Sequence, residues 1–451
     1  MSNPSLTFLG ATGTVTGSRF LVEAAGTVVL VDAGLYQGLA ELRRRNWDQL
    51  PIAPASIDGV VLSHAHLDHC GYLPRLVREG FSGPVVCTAE TAQLAMIVLR
   101  DSAHLQVEEA EYANRSGYSK HSPALPLYDE SDVLLAGRHL RPTEFHTPVE
   151  VAPGVTATLR SAGHILGSAS VLVDTGGTRT LFSGDLGRPN HALVTPREDP
   201  PAADTVVVES TYGDRFHPPA GGTVLADAVR RTIDRGGSVL IPAFAVDRTE
   251  LVLLKIGELM RAGSIPVVPV HVDSPMALAA LKVYASALPG AAGRPAFGIP
   301  ALHTAETAAD SQALNRPSRP CIVISASGMA TGGRVMHHLA QQLPDARNTV
   351  ILTGYQAVGT RGRDLAEGAH DVKIHGRYVP VRAEVVVDDE FSVHADGDEI
   401  IEWLSRMPQP PRTVYLVHGE GHASQELASR IRAELDWCAV VPRYAERVRL
   451  D

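Results

Sequence analysis

Apolar and β-branched positions in the first quarter of the chain come in short runs closed by glycine: SLTFLGA from Ser5, SRFLVEA from Ser18 and TVVLVDAG from Thr27. Runs of that length and residue type predict strands joined by turns. A further apolar run, Ile57–Ser63 (IDGVVLS), stops abruptly at His64. Between Thr91 and Ala113, Leu94, Val98, Leu105 and Val107 fall near helical spacing and predict a helix. Strand patterns then return in VAPGVTATLRSAGH, SASVLVDTGG and TRTLFSGD, and DTVVVEST ends one more strand at Glu209.

The pattern changes after Gly213. Leu225–Arg235 and Arg248–Ala262 read as helices, alternating with the apolar runs GGSVLIPAFA and IPVVPVHVD. RPCIVISAS, NTVILTGYQ and DVKIHG supply three more strands. Strand and helix in regular succession predict βαβ units and a largely parallel sheet. Short strands resume from about Val379 with VRAEVVV, followed by a helix at Gly397–Arg406 and the strand RTVYLVHGE. We read residues 212–375 as a domain inserted into another built from 1–211 and 376–451. Two tandem domains are the alternative, and the histidines of the last quarter decide against them.

Composition narrows the class. With 44% hydrophobic and 20% charged residues in 451, the chain is globular and long enough for more than one domain. A net charge of −10 excludes attraction of polyanions by the whole surface, so any nucleic-acid contact must be local. Four scattered cysteines form no CxxC pair and suggest neither a disulfide framework nor a thiolate metal site. The first residues lack the pattern of a secretory leader, and no long apolar run suggests a membrane span. A cytoplasmic protein without a membrane partner is expected; the oligomeric state cannot be deduced.

The strongest chemical signal is His64-Ala-His66-Leu-Asp68-His69. Four metal-binding side chains leave a buried strand on one turn, and their nitrogen and oxygen donors suit zinc, with Mn²⁺ or Fe also accepted. His164 in SAGHILGSAS and Asp185 in LFSGDLG stand at further strand ends. They add an imidazole and a carboxylate able to bridge two ions. Asp32 reads equally as a turn-initiating residue or as a partner that orients a ligand.

LVDAGLYQG, SHAHLDH, GHILGSA and FSGDLG, in this order, resemble the four motifs of the metallo-β-lactamase superfamily. That resemblance implies an α/β fold, an αββα sandwich with metals at one edge between its sheets. Glu209 in VVVES, His394 in FSVHADG and His418 in VYLVHGEG, split by a large α/β insertion, resemble the β-CASP nucleases of that superfamily. IPAFAVDRTEL, VDSPMA, SASGMATGGR and TGYQAVGTRGRDL resemble stretches of the inserted β-CASP domain. The resemblance covers nearly the whole chain. It implies a ribonuclease with two Zn²⁺ per chain, one held by His64, His66 and His164, the other by Asp68, His69 and His418, with Asp185 bridging. A hydroxide activated by the two ions would cut single-stranded RNA, leaving a 5′-phosphate and a 3′-hydroxyl. Asp68, His394 and Glu209 would be catalytic, His394 as general acid with Glu209 orienting its ring. Among such nucleases a histidine at the position of His418 marks those acting on RNA. Arg248, Ser327, Arg334, Arg361 and Arg363 would contact RNA phosphates.

On residue type alone, His394 is as easily a cap for the following helix, Glu209 an ordinary strand-end carboxylate, and each arginine a solvated surface group. Three other functions compete: a DNA-processing nuclease of the same family, a non-catalytic RNA-binding subunit, and a small-molecule hydrolase such as a thioesterase. The insertion has no evident role in the last.

Overall fold

The computed structural model describes residues 3–117, 119–217, 221–287 and 298–450. The chain folds into two compact units, one of residues up to Phe216 and from Val393 onward, the other His217–Ser392.

The first unit holds two seven-stranded sheets. The order across one is Arg447–Arg449, Ser5–Phe8, Phe20–Ala24, Thr27–Val31, Gly59–Val61, Val85–Cys87 and Leu140–Pro142. The other runs Ala439–Val440, Thr413–Val417, Thr205–Glu209, Arg179–Phe182, Ala169–Asp174, Val155–Ser161 and Val149–Ala152. Leu6, Phe8, Phe20 and Val22 of the first meet Leu159, Val171, Phe182 and Val207 of the second in one buried core. Two aromatic pairs tie the sheets together, Phe8–Tyr415 at 5.1 Å and Phe20–Phe182 at 5.7 Å between ring centroids. The second sheet is apolar on its outer face too. There Val206, Val208 and Leu416 pack against Ile400 and Leu404 of helix Gly397–Ser405 and Leu427 of helix Gly421–Leu435. Covered on both sides, Thr205–Glu209 is buried at every position.

Helices Leu73–Arg78, Ala89–Ser116 and Glu130–Gly137 follow the strands of the first sheet, burying Leu76, Leu94, Leu99 and Val133. The long helix starts where the Thr88 hydroxyl accepts the Thr91 amide and ends at Gly117, whose φ of 66° suits glycine. The result is the expected αββα sandwich. No helix among the described residues is long and apolar enough to cross a membrane.

The second unit is built on a six-stranded parallel sheet ordered Leu302–Thr304, Val270–Asp273, Ile322–Ser325, Val239–Pro242, Thr349–Leu352 and Glu384–Val387. Apolar clusters cover both its faces, around Ile241, Val272 and Ile324 on one and Leu240, Val323 and Val350 on the other. Two expectations are corrected here. Glu384–Val387 pairs in parallel with Thr349–Leu352, so VRAEVVV completes the inserted sheet and the chain rejoins the first unit only at Val393. Asp371–Ile374 does not enter that sheet but forms a hairpin with Arg377–Pro380.

Candidate metal centre

Strands Ser5–Phe8, Thr27–Val31 and Gly59–Val61 run in the same direction, so their C-terminal ends share one edge of the sandwich. Asp32 follows Val31 directly, and His64 comes after Leu62 and Ser63 beyond Val61. The turn after Ser63 is held from behind by backbone bonds: Ser18 N–H and Ala33 N–H donate to the carbonyls of Asp68 and His69, and Leu35 N–H to that of Leu67, all within 3.0 Å. Gly34 lies so close that an added Cβ would sit 1.6 Å from the Asp68 carbonyl oxygen. Arg19, missed in the sequence, keeps that strap in place. Its buried guanidinium donates to the Gly34 carbonyl at 2.7 Å and to Asn46 Oδ1 at 3.0 Å, stacked 3.8 Å over the Tyr72 ring.

Two sets of donors result. His66 Nδ1 lies 3.1 Å from His64 Nε2 and 3.2 Å from His164 Nε2. His418 Nε2 lies 3.2 Å from His69 Nε2 and 3.3 Å from Asp68 Oδ2. Asp185 stands between them. Its Oδ2 is 3.4 Å from His64 Nε2 and 3.5 Å from His164 Nε2, while its Oδ1 is 3.2 Å from His69 Nε2 and 3.6 Å from His418 Nδ1. Within each set, His64, His66, His164 and Asp185 or Asp68, His69 and His418, one ligand atom per residue lies within 4.8 Å of the others. The seven residues singled out in the sequence therefore converge.

What fixes the rings is a layer of oxygens. Asp32 Oδ2 accepts from His69 Nδ1 at 2.8 Å, and its two oxygens take the hydroxyl and amide of Ser63. With its proton given to Asp32, the Ser63 hydroxyl is left to accept from His64 Nδ1 at 3.1 Å. Thr211 repeats the device. Its hydroxyl donates to the His418 carbonyl and so accepts from His418 Nδ1, both at 3.0 Å. His164 Nδ1 faces the Val393 carbonyl at 3.4 Å. In all four rings Nδ1 is thus engaged by an oxygen and Nε2 is turned inward, the nitrogen a metal ligand would use. Ser63 and Thr211 were not found from the sequence, where a hydroxyl at a strand end carries no signal.

Electrostatics favour a cation. Burial pushes His64 and His164 well below the usual imidazole range and His66 down to about 4. Burial acts the same way on His69, but Asp185 and Asp32 outweigh it and hold that ring well above the range. Burial also opposes charge on Asp185, yet His418, His69 and His64 keep its carboxyl well below the carboxylate range. Three imidazoles kept neutral by burial, His64, His66 and His164, beside an ionised Asp185 carboxylate are a donor set that fits a metal ion.

Glu209 and His394 lie beside Asp185. His394 Nδ1 is 3.1 Å from Glu209 Oε2, and Glu209 Oε1 also accepts the Leu186 amide at 2.6 Å. His394 does not cap the next helix; Asp396 does, in a reciprocal capping box with Glu399. The residues expected to contact RNA lie in the second unit. Arg248 is buried there and packed so tightly that a Cβ on Gly354 would meet its guanidinium. Arg334 donates to Asp273 Oδ1 at 2.6 Å and to the carbonyls of Ala305 and Glu306. Arg248 is built into the unit's interior, unlike the solvent-facing clamp expected, while Arg334 is half-buried beside Asp273. Ser327, bonded to Thr331, and half-buried Arg361 and Arg363 remain accessible.

Comparison with known proteins agrees with this geometry. The metallo-beta-lactamase superfamily model matches residues 12–227, the Beta-Casp domain 249–365, and the Zn-dependent metallo-hydrolase RNA specificity domain 378–442. Ribonuclease TTHA0252 of Thermus thermophilus is 37% identical, over 91% of this chain and 92% of its own. An RNase J-like protein of Methanocaldococcus jannaschii is 31% identical over 97% of both chains. Transcription termination factor FttA of Methanosarcina mazei is 32% identical over 95% of this chain and 69% of its own. A crystal structure of a protein of unknown function from Enterococcus faecalis superposes over 99% of this chain with a TM-score of 0.53 at 14% identity, a likeness of fold alone. With the histidine-rich turn, the inserted parallel sheet and the returning His394 and His418 all in place, the chain belongs to the β-CASP family of the metallo-β-lactamase superfamily.

Proposed function

We propose that this protein is a metal-dependent ribonuclease that hydrolyses single-stranded RNA at a centre of two metal ions. One ion would be held by His64, His66 and His164, the other by Asp68, His69 and His418. The observation that carries this is Asp185, whose two carboxylate oxygens each face a different histidine set. Zinc suits these donors, and Mn²⁺ or Fe would also be accepted. Ions bound there supply Lewis acidity and make water a nucleophile at neutral pH.

The chain's own residues do the rest. Glu209 holds the His394 Nδ1–H, leaving Nε2 to carry a proton to the substrate. As a hydroxide, the attacking water having released its proton to solvent, bonds to phosphorus in line, the bond from phosphorus to the ribose 3′-oxygen breaks. That oxygen takes the proton from His394, giving a 5′-phosphate and a 3′-hydroxyl. Both His394 and His418 lie within the matched RNA specificity domain, which favours RNA over DNA. Ser327, Arg361 and Arg363 are assigned to phosphate contacts.

The test uses 5′-labelled single-stranded RNA and DNA of matched sequence, with and without chelator. RNA cleavage that chelator abolishes is expected, with DNA spared. His394→Ala should slow RNA cleavage by roughly 10²–10⁴-fold. It should slow it far less on a 3′-bridging phosphorothiolate, whose leaving sulfur needs no proton. Equal losses on both substrates would remove His394 from the role of acid.

A further inference from the structure

The first unit carries an arginine–aromatic patch that the chemistry above does not use. Helix Ala40–Arg44 and the turn after it present Arg43, Arg44 and Trp47 to solvent, Trp47 being 51% exposed. Arg443 and Tyr444 are exposed on the loop before the last strand, Tyr444 by 44%. Arg45 joins the two segments: its guanidinium lies 4.3 Å from the Tyr444 ring centroid and 5.5 Å from that of Tyr36. Among the described residues Arg43, Arg44 and Arg443 enter no ion pair, while Arg447 is taken by Glu23. The acidic neighbours are Glu41, Asp48 and Glu446, and Glu446 is occupied with the Arg443 amide. In a chain of net charge −10, the patch is a local excess of guanidinium over carboxylate.

Its position is as telling as its composition. The last strand runs antiparallel to Ser5–Phe8 with Thr7 opposite Arg447, which puts the 443–446 loop at the edge that bears the metal donors. Phe8 exchanges backbone bonds with Ala445 and Glu446 at 2.8 and 3.0 Å. Tyr36 then donates its hydroxyl to the Leu9 carbonyl, and the Ala11 carbonyl accepts the His418 amide at 2.7 Å. A single short loop, residues 9–17, thus separates the patch from His418.

We propose that this patch is a second RNA-docking surface, on which the single strand flanking the scissile bond lays its phosphates against Arg43, Arg44 and Arg443 and stacks bases on Tyr444 and Trp47. Guanidinium groups match phosphate geometry, exposed aromatic rings accept any base, and the pairing of the two is the chemistry of sequence-independent single-strand binding. It rests on the ribonuclease reading and adds where substrate outside the centre is held.

The test compares wild type with an Arg43→Ala, Arg44→Ala, Tyr444→Ala variant on a long single-stranded RNA and on a short one spanning only the metal centre. The variant should raise KM for the long RNA about tenfold, with kcat on both RNAs and KM for the short one unchanged. The salt dependence of long-RNA binding, read by fluorescence anisotropy with metal chelated, should flatten by about 1.4, or ~0.7 for each of two phosphates no longer neutralised. Tyr444→Phe alone should retain wild-type affinity, since stacking survives. An unaltered affinity and salt slope in the triple variant would overturn the proposal. Because the binding arm needs no turnover, a protein that cleaves neither RNA would count against the ribonuclease reading while still deciding this one.

Discussion

His64, His69, His164 and His418 each offer one nitrogen to the centre because the other already serves an oxygen. The groups that enforce this are Ser63, Asp32, Thr211 and the Val393 carbonyl, which face the outer nitrogens of the rings. Removing one should loosen a ring without removing a ligand. Asp32→Ala and Thr211→Val are therefore expected to weaken metal binding by about 10–100-fold while leaving the protein folded, as competition with a chromophoric chelator would measure. Wild-type affinity in both would show that the rings are set by packing alone. The ligands were legible in the sequence because four lie within six residues and the rest stand at strand ends. Thr211 was not, since its meaning exists only opposite His418, 207 residues away.

At the level of elements, the site depends on two stretches of backbone lying closer than side chains ordinarily permit. Ala33–Leu35 straps the Asp68–His69 turn, and only a residue without Cβ fits at its middle. Gly34→Ala must push the turn away, because the obstacle is a carbonyl rather than a flexible side-chain end. We expect lost metal content and a lowered melting temperature together, by mass spectrometry and thermal unfolding. Full metal occupancy in that variant would mean the strap is not what places Asp68. Strands and helices were largely visible as apolar periodicity, but their partners were not. VRAEVVV looks the same whichever sheet it joins; its place was decided by pairing with Thr349–Leu352, which no local pattern encodes. The arginines show the converse limit. Arg248 sits at a strand-end turn as phosphate ligands do, yet it is buried against Gly354, and the guanidinium of half-buried Arg334 is engaged by Asp273.

At the scale of the whole chain, the inserted unit has an electrostatic weakness of its own. Asp388 is fully buried where it caps the turn at Asp389–Phe391, and burial, outweighing the Glu390 amide it accepts and the pull of Arg248 and aided by the charges of the Glu390 and Asp389 carboxylates, pushes its carboxyl up to about 6. An unfolded aspartate titrates near ~3.9. Between those values the folded unit keeps a proton that the unfolded chain releases, so stability is present below about pH 4 and is lost as pH rises through 6. Asp388→Asn, which preserves the cap, should stabilise the protein by about 2 kcal/mol at pH 7.5 and not at pH 4. Thermal unfolding of both proteins at the two pH values measures this, and an equal effect at both would discard the ionisation account.

The chain leaves its first unit after Phe216 and returns at Val393, and the return brings His418 to a cluster begun at His64. Metal content of wild type and of His418→Ala, by mass spectrometry with RNA cleavage assayed alongside, tests that convergence most directly. Two ions per chain in wild type, falling to about one in the variant with cleavage lost, is the predicted result. A wild type holding a single ion, or a variant that keeps both, would contradict a centre of two ions completed by His418.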